Sequence, residues 1–468
     1  MTDNKPVFDL RTTFPRRVSV IGAAKSGIAA ARYFRTKGAE VFVSDSCSSE
    51  QLEKVLSDNG LESISRESGG HTTEVLKSEL IVLSPGVPSE IVVILEAKKR
   101  GIPVWSEMEL GFRASEAAFL AVTGSTGKTT TVSMLGEALK AEGRESVVAG
   151  NIGVPVISVV AGMSKNGWVA AEVSSFQLEN IEKFRPRGAA VLNLMKNHLD
   201  RYESEEDYYN AKKAIARNYT KDNYLVLNLH DCRLVAWADA MKKRTNVVFF
   251  GSADGEGDAF WYDEDAGTVR YRFGGRQGTI LDVKEMRVNG RHNYENACAA
   301  AALAKIAGVG DAGIGRGICG FGGLPHRLEF AGEAGGVKYY NDSKSTTAES
   351  ILAAVSTFKS GVHLIAGGRD KGCDFSLVKS ALREHVRAVY LIGEAADRMQ
   401  AEWDGVVPLY RCTMLEEAVA AAARAAGPGE TVVLSPGCSS FDMFTDYMER
   451  GNRFKKIVAG MGTERGIR

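Results

Sequence analysis

Short apolar runs alternate with amphipathic stretches along most of the chain. Arg17–Ile21 (RVSVI) predicts a buried strand, followed by Gly22, a helix over residues 28–36 and a second strand over 40–43 that ends at Ser44-Asp45. This strand–turn–helix–strand order implies a parallel sheet. Leu80–Leu83 predicts another buried strand, broken by Ser84-Pro85-Gly86, and the first unit is expected to end near residues 114–116. A second unit opens with a strand over 119–122 and a glycine-rich turn, with further strands over 168–173, 189–193 and Tyr224–Asn228. Around 258–288 the rhythm changes to alternating segments (FWYD, TVRYRF, TILDV) with glycine-rich turns, which predicts a small antiparallel insertion. Residues 293–306 (NYENACAAAALAKI) then read as an alanine-rich helix. A third unit starts near Gly322, with strands over 337–340, 362–366, 388–392 and Thr431–Leu434. In open α/β sheets ligands bind at the carboxyl ends of strands, so the turns after these strands are where chemistry is sought.

Length and composition narrow the class. The chain has 468 residues, a soft prior of about three domains. It is 44% hydrophobic and 25% charged, which fits globular domains and argues against a disordered chain. Lys+Arg and Asp+Glu both total 58, so no global basic field would hold nucleic acid or an anionic membrane, and any anion must be held by local groups. There is no run of apolar residues long enough for a transmembrane helix, and the polar start of the chain does not read as a secretory signal. The seven cysteines, at 47, 232, 298, 319, 373, 412 and 438, form no CxxC. Neither a disulfide framework nor a zinc site is favoured, and a reduced, cytoplasmic setting is expected.

The strongest local signal is Thr123-Gly124-Ser125-Thr126-Gly127-Lys128-Thr129-Thr130, after a strand and before a helix expected over 132–140. Glycines let backbone N–H groups converge on one concavity, and a helix N-terminus adds partial positive charge. Lys128 suits β- and γ-phosphate oxygens and Thr129 suits Mg²⁺. The two glycines stand closer together than in GxxxxGK[ST], and an ordinary strand-to-helix glycine turn is the competing reading. Gly22-Ala23-Ala24-Lys25-Ser26-Gly27 is a weaker dinucleotide fingerprint: the middle glycine is Ala24, although Asp45 stands at the end of the second strand. It reads either as a nucleotide site or as a turn that packs helix on sheet.

Other candidates sit at strand ends. Glu172, in AAEVSSFQ, is placed for Mg²⁺ beside the phosphate-loop strand, or is a plain loop acid. His198 lies in the polar segment NHLDR after a strand; Asp200 and Arg201 there also read as a local surface pair of little energetic weight. Lys212 and Lys213 sit on a helix expected over 208–219, where solvated lysine is the default. Asn293 and Asn296 open the alanine-rich helix; capping accounts for one, and two on one face suit a base edge.

Taken in order, TGSTGKTT (123–130), EVSSFQLE (172–179), NHLDRY (197–202), the Tyr209-to-Lys213 spacing, GRHNYENACAA (290–300), LPHRLE (324–329), NDSKSTT (341–347), GGRDKG (367–372) and LSPGCSSFDMF (434–444) resemble the Mur ligase superfamily of ATP-dependent amino-acid ligases. The resemblance covers essentially the whole chain. LPHRLE, NDSKSTT and SPGCSSFDMF resemble the branch that adds D-glutamate to UDP-N-acetylmuramoyl-L-alanine in peptidoglycan precursor synthesis, although Gly437 and Ser439 stand where that family more often has Ala. A folylpolyglutamate-synthase-like ligase is the alternative, and the 22–45 unit argues against it. A non-catalytic ATP-binding switch and a dinucleotide-dependent dehydrogenase are more distant readings.

The resemblance implies an α/β fold of three domains. These are a Rossmann-like domain over 1–115 for the uridine substrate, a central P-loop ATPase-like domain with a mostly parallel sheet over 116–320, and a Rossmann-like domain over 321–468 for the amino acid. It implies ATP on Gly124, Ser125, Thr126, Gly127, Lys128, Thr129 and Thr130, with Asn293, Asn296, Arg327 and Asp342 at adenine and ribose. Two Mg²⁺ ions are implied on Thr129, Glu172, His198 and a carbamylated Lys213, since a carbamate supplies the anionic oxygen that Mg²⁺ prefers. Ser44, Asp45, Ser84 and Gly86 would face uridine diphosphate, and Asn151, Ser174 and Gln177 the muramoyl-alanine end. Lys344, Thr346, Lys371 and Ser440 would hold D-glutamate and the acyl phosphate. Catalysis is implied for Lys128, Glu172, His198, Lys213 and Lys344 in a monomer that uses no nucleic acid or membrane partner.

Overall fold

Five parallel strands form the first sheet: β1 (Arg17–Ile21), β2 (Glu40–Ser44), β3 (Ser65–Glu67), β4 (Leu80–Leu83) and β5 (Val104–Ser106), in the order β3-β2-β1-β4-β5. The computed structural model describes residues 8–10, 12–197, 201–254, 257–370 and 372–464. β1 and β4 are buried almost throughout, as central parallel strands covered on both faces must be. The chain reverses its winding between β1 and β4, so the turns after them, at Gly22 and Ser84, face each other at the switch point of a doubly wound sheet. β3 and β5 escape the hydrophobic pattern because each has three residues, and β3 (SRE) has none that is apolar.

The central sheet holds β6 (Ala118–Thr123), β7 (Ser146–Gly150), β8 (Trp168–Glu172), β9 (Gly188–Val191), β10 (Tyr224–Asn228), β11 (Asn246–Phe250), β12 (Ala259–Asp263), β13 (Thr268–Phe273) and β14 (Arg276–Asp282). Their order is β14-β13-β12-β11-β10-β9-β6-β8-β7. The small antiparallel insertion expected at 258–288 is present and continues this sheet at its edge. β13 and β14 are antiparallel, but β12 pairs in parallel with β11 through Phe249 and Phe250. The strand expected over 189–193 stops at Val191, which leaves Asn193 in the turn beyond it. The helix expected over 208–219 runs over Glu205–Lys213, started by Ser204, whose hydroxyl accepts from Asp207 N, and ends in a tight turn over Ala214–Ala216.

Val18, Val20 and Trp105 of the first sheet share one apolar cluster with Phe119, Ala121 and Val169 of the central one. Met1–Phe321 accordingly forms one compact unit and Gly322–Arg468 a second. The second unit carries β15 (Glu329–Ala334), β16 (Val337–Asn341), β17 (Val362–Gly367), β18 (Val386–Ile392), β19 (Leu409–Arg411) and β20 (Thr431–Leu434), in the order β15-β16-β20-β17-β18-β19. Only the β15–β16 pair is antiparallel, and each face of the sheet is covered by its own apolar cluster. At roughly 1.5–3 kcal/mol for each large apolar side chain buried, these clusters supply the main driving force for folding. No helix among the described residues is long and apolar enough to cross a membrane.

Candidate active site

β6 lies in the middle of the parallel strands, between β8 and β9, and its carboxyl end releases the loop 124–127 into helix Lys128–Ala141. Gly127 caps that helix with φ +80°, a left-handed conformation, and a Cβ there would meet Asn296 Oδ1 at 2.6 Å. The loop is closed by a residue that the sequence does not single out. Asn193 Oδ1 accepts from Ser125 N at 3.0 Å and Thr126 N at 2.9 Å. Ser125 Oγ donates to Met195 O at 2.9 Å, which ties the loop again to the turn after β9. Lys128 Nζ lies 2.9 Å from Gly124 O and 3.0 Å from Ser125 O, so the ammonium is folded over its own loop. Converging backbone, helix N-terminus and lysine make an anion cradle.

Glu172 ends β8 beside this loop and is 2% exposed. Thr129 Oγ1 donates to its Oε2 at 2.8 Å and Asn151 Nδ2 donates to its Oε1 at 2.9 Å. Thr129, Glu172 and Asn151 therefore meet at one point, with Asn151 the residue expected at the muramoyl-alanine end. A buried carboxylate offered a hydroxyl and an amide is a hard-oxygen set, and these residues fit Mg²⁺. No three His, Cys, Asp or Glu side chains gather to hold a metal among the described residues. His198 lies outside the described residues.

Helix Glu205–Lys213 brings Tyr208 and Lys212 to the loop. Tyr208 OH reaches Ser125 Oγ at 3.4 Å, and Lys212 is buried, 1% exposed, with Nζ 4.4 Å from the centre of the Tyr208 ring. Burial first, and then the charge of Lys128, bring the Lys212 ammonium down to about 7. The solvated-helix reading fails for Lys212 because its (i, i+4) face packs inward. Lys213 is half-buried, with Nζ 3.2 Å from Glu206 Oε1, and Tyr209 OH bonds Glu205 and accepts from Arg233.

Asn293 and Asn296 separate. Asn296 Oδ1 accepts from Thr131 Oγ1 at 3.2 Å and so packs on the phosphate-loop helix, whereas Asn293 Nδ2 bonds Asn289 O. Neither caps: Gly290 holds the cap position of helix Arg291–Ile306, which corrects the capping expectation. Arg201 is largely shielded rather than set out in solvent. Its guanidinium donates to Pro85 O at 2.7 Å and Val87 O at 3.2 Å and lies 3.9 Å over the Phe176 ring; Asp200 is outside the described residues.

At the first sheet, Asp45 Oδ2 accepts from Ala23 N at 2.6 Å and Oδ1 from Cys47 N at 2.9 Å. Burial pushes this carboxyl up, but the two N–H groups, the Cys47 side chain and the His71 charge outweigh it and leave it below the usual range. Ser44 donates to Glu67 at 2.6 Å and Ser84 to Gly22 O at 2.8 Å; both hydroxyls face inward and shape the turns. Gly86 is exposed on the turn after β4. Ser174 and Gln177 form a capping box at helix Ser175–Glu179.

In the second unit, His326 (φ +61°) and Leu328 (φ +43°) are both left-handed and flank Arg327. Such backbone costs of order 1–3 kcal/mol per residue and persists only where surroundings impose it. Here Asn341 Nδ2 lies 3.0 Å from His326 Nδ1, and Leu328 N donates to Asp342 Oδ1 at 3.1 Å. Asp342 is buried, which raises its carboxyl to about 6 against the hydrogen bonds of Ser345, Ser435 and Leu328. It thus anchors this turn from within. Lys344 lies 5.5 Å over the Tyr447 ring, Thr346 is half-buried and Ser440 is buried. Lys371 lies outside the described residues. Arg450, not singled out from the sequence, is 1% exposed and donates to Ser343 Oγ, Ser343 O and Cys438 O.

Three family models match the chain in succession: the Mur ligase MurD-like N-terminal domain over residues 16–106, the Mur ligase middle domain over 122–304 and the Mur ligase glutamate ligase domain over 326–438. A UDP-N-acetylmuramoylalanine–D-glutamate ligase from Acidobacterium capsulatum is 41% identical over 451 residues, 95% of this chain and 96% of that protein. One of the same name from Geotalea daltonii is 40% identical over 447 residues, 95% of this chain and 98% of that protein. Among solved structures, a MurF ligase from Thermotoga maritima in complex with ADP superposes with TM-score 0.59 at 16% identity, over 98% of this chain and all of that one. A UDP-N-acetylmuramate–alanine ligase from Thermotoga maritima gives TM-score 0.58 at 18% identity, over 96% of this chain and all of that one. These likenesses show the shared fold.

Proposed function

This chain belongs to the Mur ligase family, and on that premise we propose that it joins D-glutamate to UDP-N-acetylmuramoyl-L-alanine with cleavage of ATP. The observation that carries the reading is 41% identity over 95% of this chain to a ligase of that name. The match of residues 16–106 to a MurD-like N-terminal domain weighs against a folylpolyglutamate-type ligase.

The acceptor carboxylate attacks the γ-phosphorus of ATP, ADP leaves, and an acyl phosphate forms. The amine of D-glutamate then attacks the acyl carbon, and phosphate leaves as the amide bond closes. Both partners are anions, so the chain's task is to hold them together and position them. Loop 124–127 and Lys128 bind the phosphates, and Asn193 keeps the loop's N–H groups in place. Thr129, Glu172 and His198 are the residues that hold Mg²⁺, which when bound neutralises phosphate charge and polarises the phosphoryl group. Two ions are proposed, with a lysine carbamate as a further oxygen donor. We assign that carbamate to Lys212 rather than Lys213. The support is its burial beside the loop and an amine neutral enough near pH 7 to take up CO₂, whereas Lys213 pairs with Glu206.

The turns after β1, β2 and β4 bind the uridine diphosphate end, Asn151 faces the junction with the acyl group, and Asn296 and Arg327 serve the adenosine. Lys344, Thr346, Lys371 and Ser440 bind D-glutamate. The functional division into 1–115, 116–320 and 321–468, a monomeric state and a cytoplasmic setting complete the proposal. Phosphate release with UDP-N-acetylmuramoyl-L-alanine and a panel of D- and L-amino acids tests it: release should require D-glutamate, and release with another amino acid or none of the panel rejects it.

A further inference from the structure

The turn after β4 is held at both ends. On one side Ser84 Oγ donates to Gly22 O at 2.8 Å. On the other, Arg201 donates to Pro85 O at 2.7 Å and Val87 O at 3.2 Å, while its Nη2 lies 3.4 Å from Glu179 Oε2. Glu179 is engaged further: its Oε2 accepts from Ser89 Oγ at 2.5 Å and its Oε1 from Tyr202 OH at 2.6 Å. Both charged side chains are largely shielded, at 16% and 17% exposure. Stacking on Phe176 fixes the plane of the guanidinium, so its donors address two carbonyls at once. Glu179 closes the short helix that follows Glu172, and Arg201 follows the segment that carries His198.

We propose that Arg201 and Glu179 are positioning residues that set the separation between the nucleotide-binding turn 84–87 and the phosphate-transfer centre. The inference rests on the reading that this turn faces uridine diphosphate. Neither residue touches reacting atoms. Their effect is to keep one end of a long acceptor in register with the other, so that its carboxylate arrives in line with the γ-phosphate. A cavity of about 590 Å³ opens beside the pair, with Leu95, Leu178 and Tyr202 in its walls. Shortening Arg201 therefore releases the turn without leaving a sealed void in packed interior.

The test compares the wild type with Arg201→Ala, Arg201→Lys and Glu179→Gln on two acceptors, the uridine diphosphate substrate and a truncated N-acetylmuramoyl-L-alanine that lacks the nucleotide. Wild-type turnover of the full acceptor decides the functional reading in the same assay. Given that turnover, Arg201→Ala should raise the KM for the full acceptor about tenfold or more and leave the KM for ATP within about twofold, as loss of a paired, shielded guanidinium would. Arg201→Lys should behave similarly, because a single ammonium lacks the planar fork whose separate Nη1 and Nη2 reach Pro85 O and Val87 O. With the truncated acceptor, mutant and wild type should have nearly equal kcat/KM. Equal losses on both acceptors, an equal rise in the KM for ATP, or an unchanged KM for the full acceptor overturns the proposal; should Arg201→Ala not fold, Arg201→Lys and Glu179→Gln are held to the same outcomes.

Discussion

Tyr208 and Lys212 occupy one face of the same helix, one turn apart, with the Lys212 Nζ 4.4 Å from the centre of the Tyr208 ring. That face points at the phosphate loop, through the contact of Tyr208 with Ser125. Lys212→Ala should lower kcat/KM by about 10²–10³-fold, the loss typical of one preorganised charge-stabilising group, and added short carboxylates should restore part of it. Lys213→Ala removes a surface pair and should stay within about fivefold of wild type. Steady-state kinetics with and without acetate measures both, and the opposite ranking rejects the assignment to Lys212.

Lys128→Ala should leave the fold intact and cut turnover by about 10²–10³-fold, because the cradle loses its lysine cation while Asn193 still closes the loop. Circular dichroism and phosphate release check the two halves of this statement.

Asn193→Ala removes the side-chain acceptor shared by two loop N–H groups: Thr126 N loses this bond, while Ser125 N keeps the backbone carbonyl of residue 193 at 3.1 Å. At about 1 kcal/mol for each bond, the KM for ATP should rise about tenfold and stability should fall by about 1–3 kcal/mol. ATP titration and urea unfolding of the variant provide the readout.

Glu107 is fully buried in helix Glu107–Ala114, where Oε1 accepts from Ile157 N at 2.7 Å and Oε2 has no hydrogen-bond partner. Burial, opposed by the N–H groups of Ile157 and Val156, raises this carboxyl to about 7. A folded-state pKa above the unfolded value means that the folded chain binds the proton more tightly. The stabilisation is complete below about pH 4 and is lost as pH rises through 7, an effect of about 3 kcal/mol. Denaturant midpoints should fall between pH 5 and 8.5 in the wild type and change less in Glu107→Gln.

Much of the catalytic half was legible because its signals are local. TGSTGKTT sits between a strand and a helix in one stretch of chain, and Glu172 ends the neighbouring strand. The lysine register was not legible: Tyr-x-x-x-Lys occurs at 208/212 and again at 209/213, and the proposal of Lys212 rests on its burial, which the sequence does not display. Asn193 was hidden by distance, 68 residues from the loop it closes and in a turn that no periodicity marks. Arg201 resembled a surface charge because its main partners are backbone carbonyls, which a sequence does not display. Asp342 folds onto Ser345 and Ser435, hydrogen bonds that no spacing in the sequence displays.

The extension β12–β14 gives helix Arg291–Ile306 a surface to lie on as the chain travels back, and Asn296 returns to Thr131 across 165 residues. The far turn of that ribbon, at Gly274-Gly275, is exposed and stands at the outer end of nine strands from which β6 is well removed. A fluorescent reporter or affinity peptide spliced into it would sit on the rim of the sheet and leave nucleotide capture undisturbed, whereas shortening the ribbon would pull the returning helix off its seat.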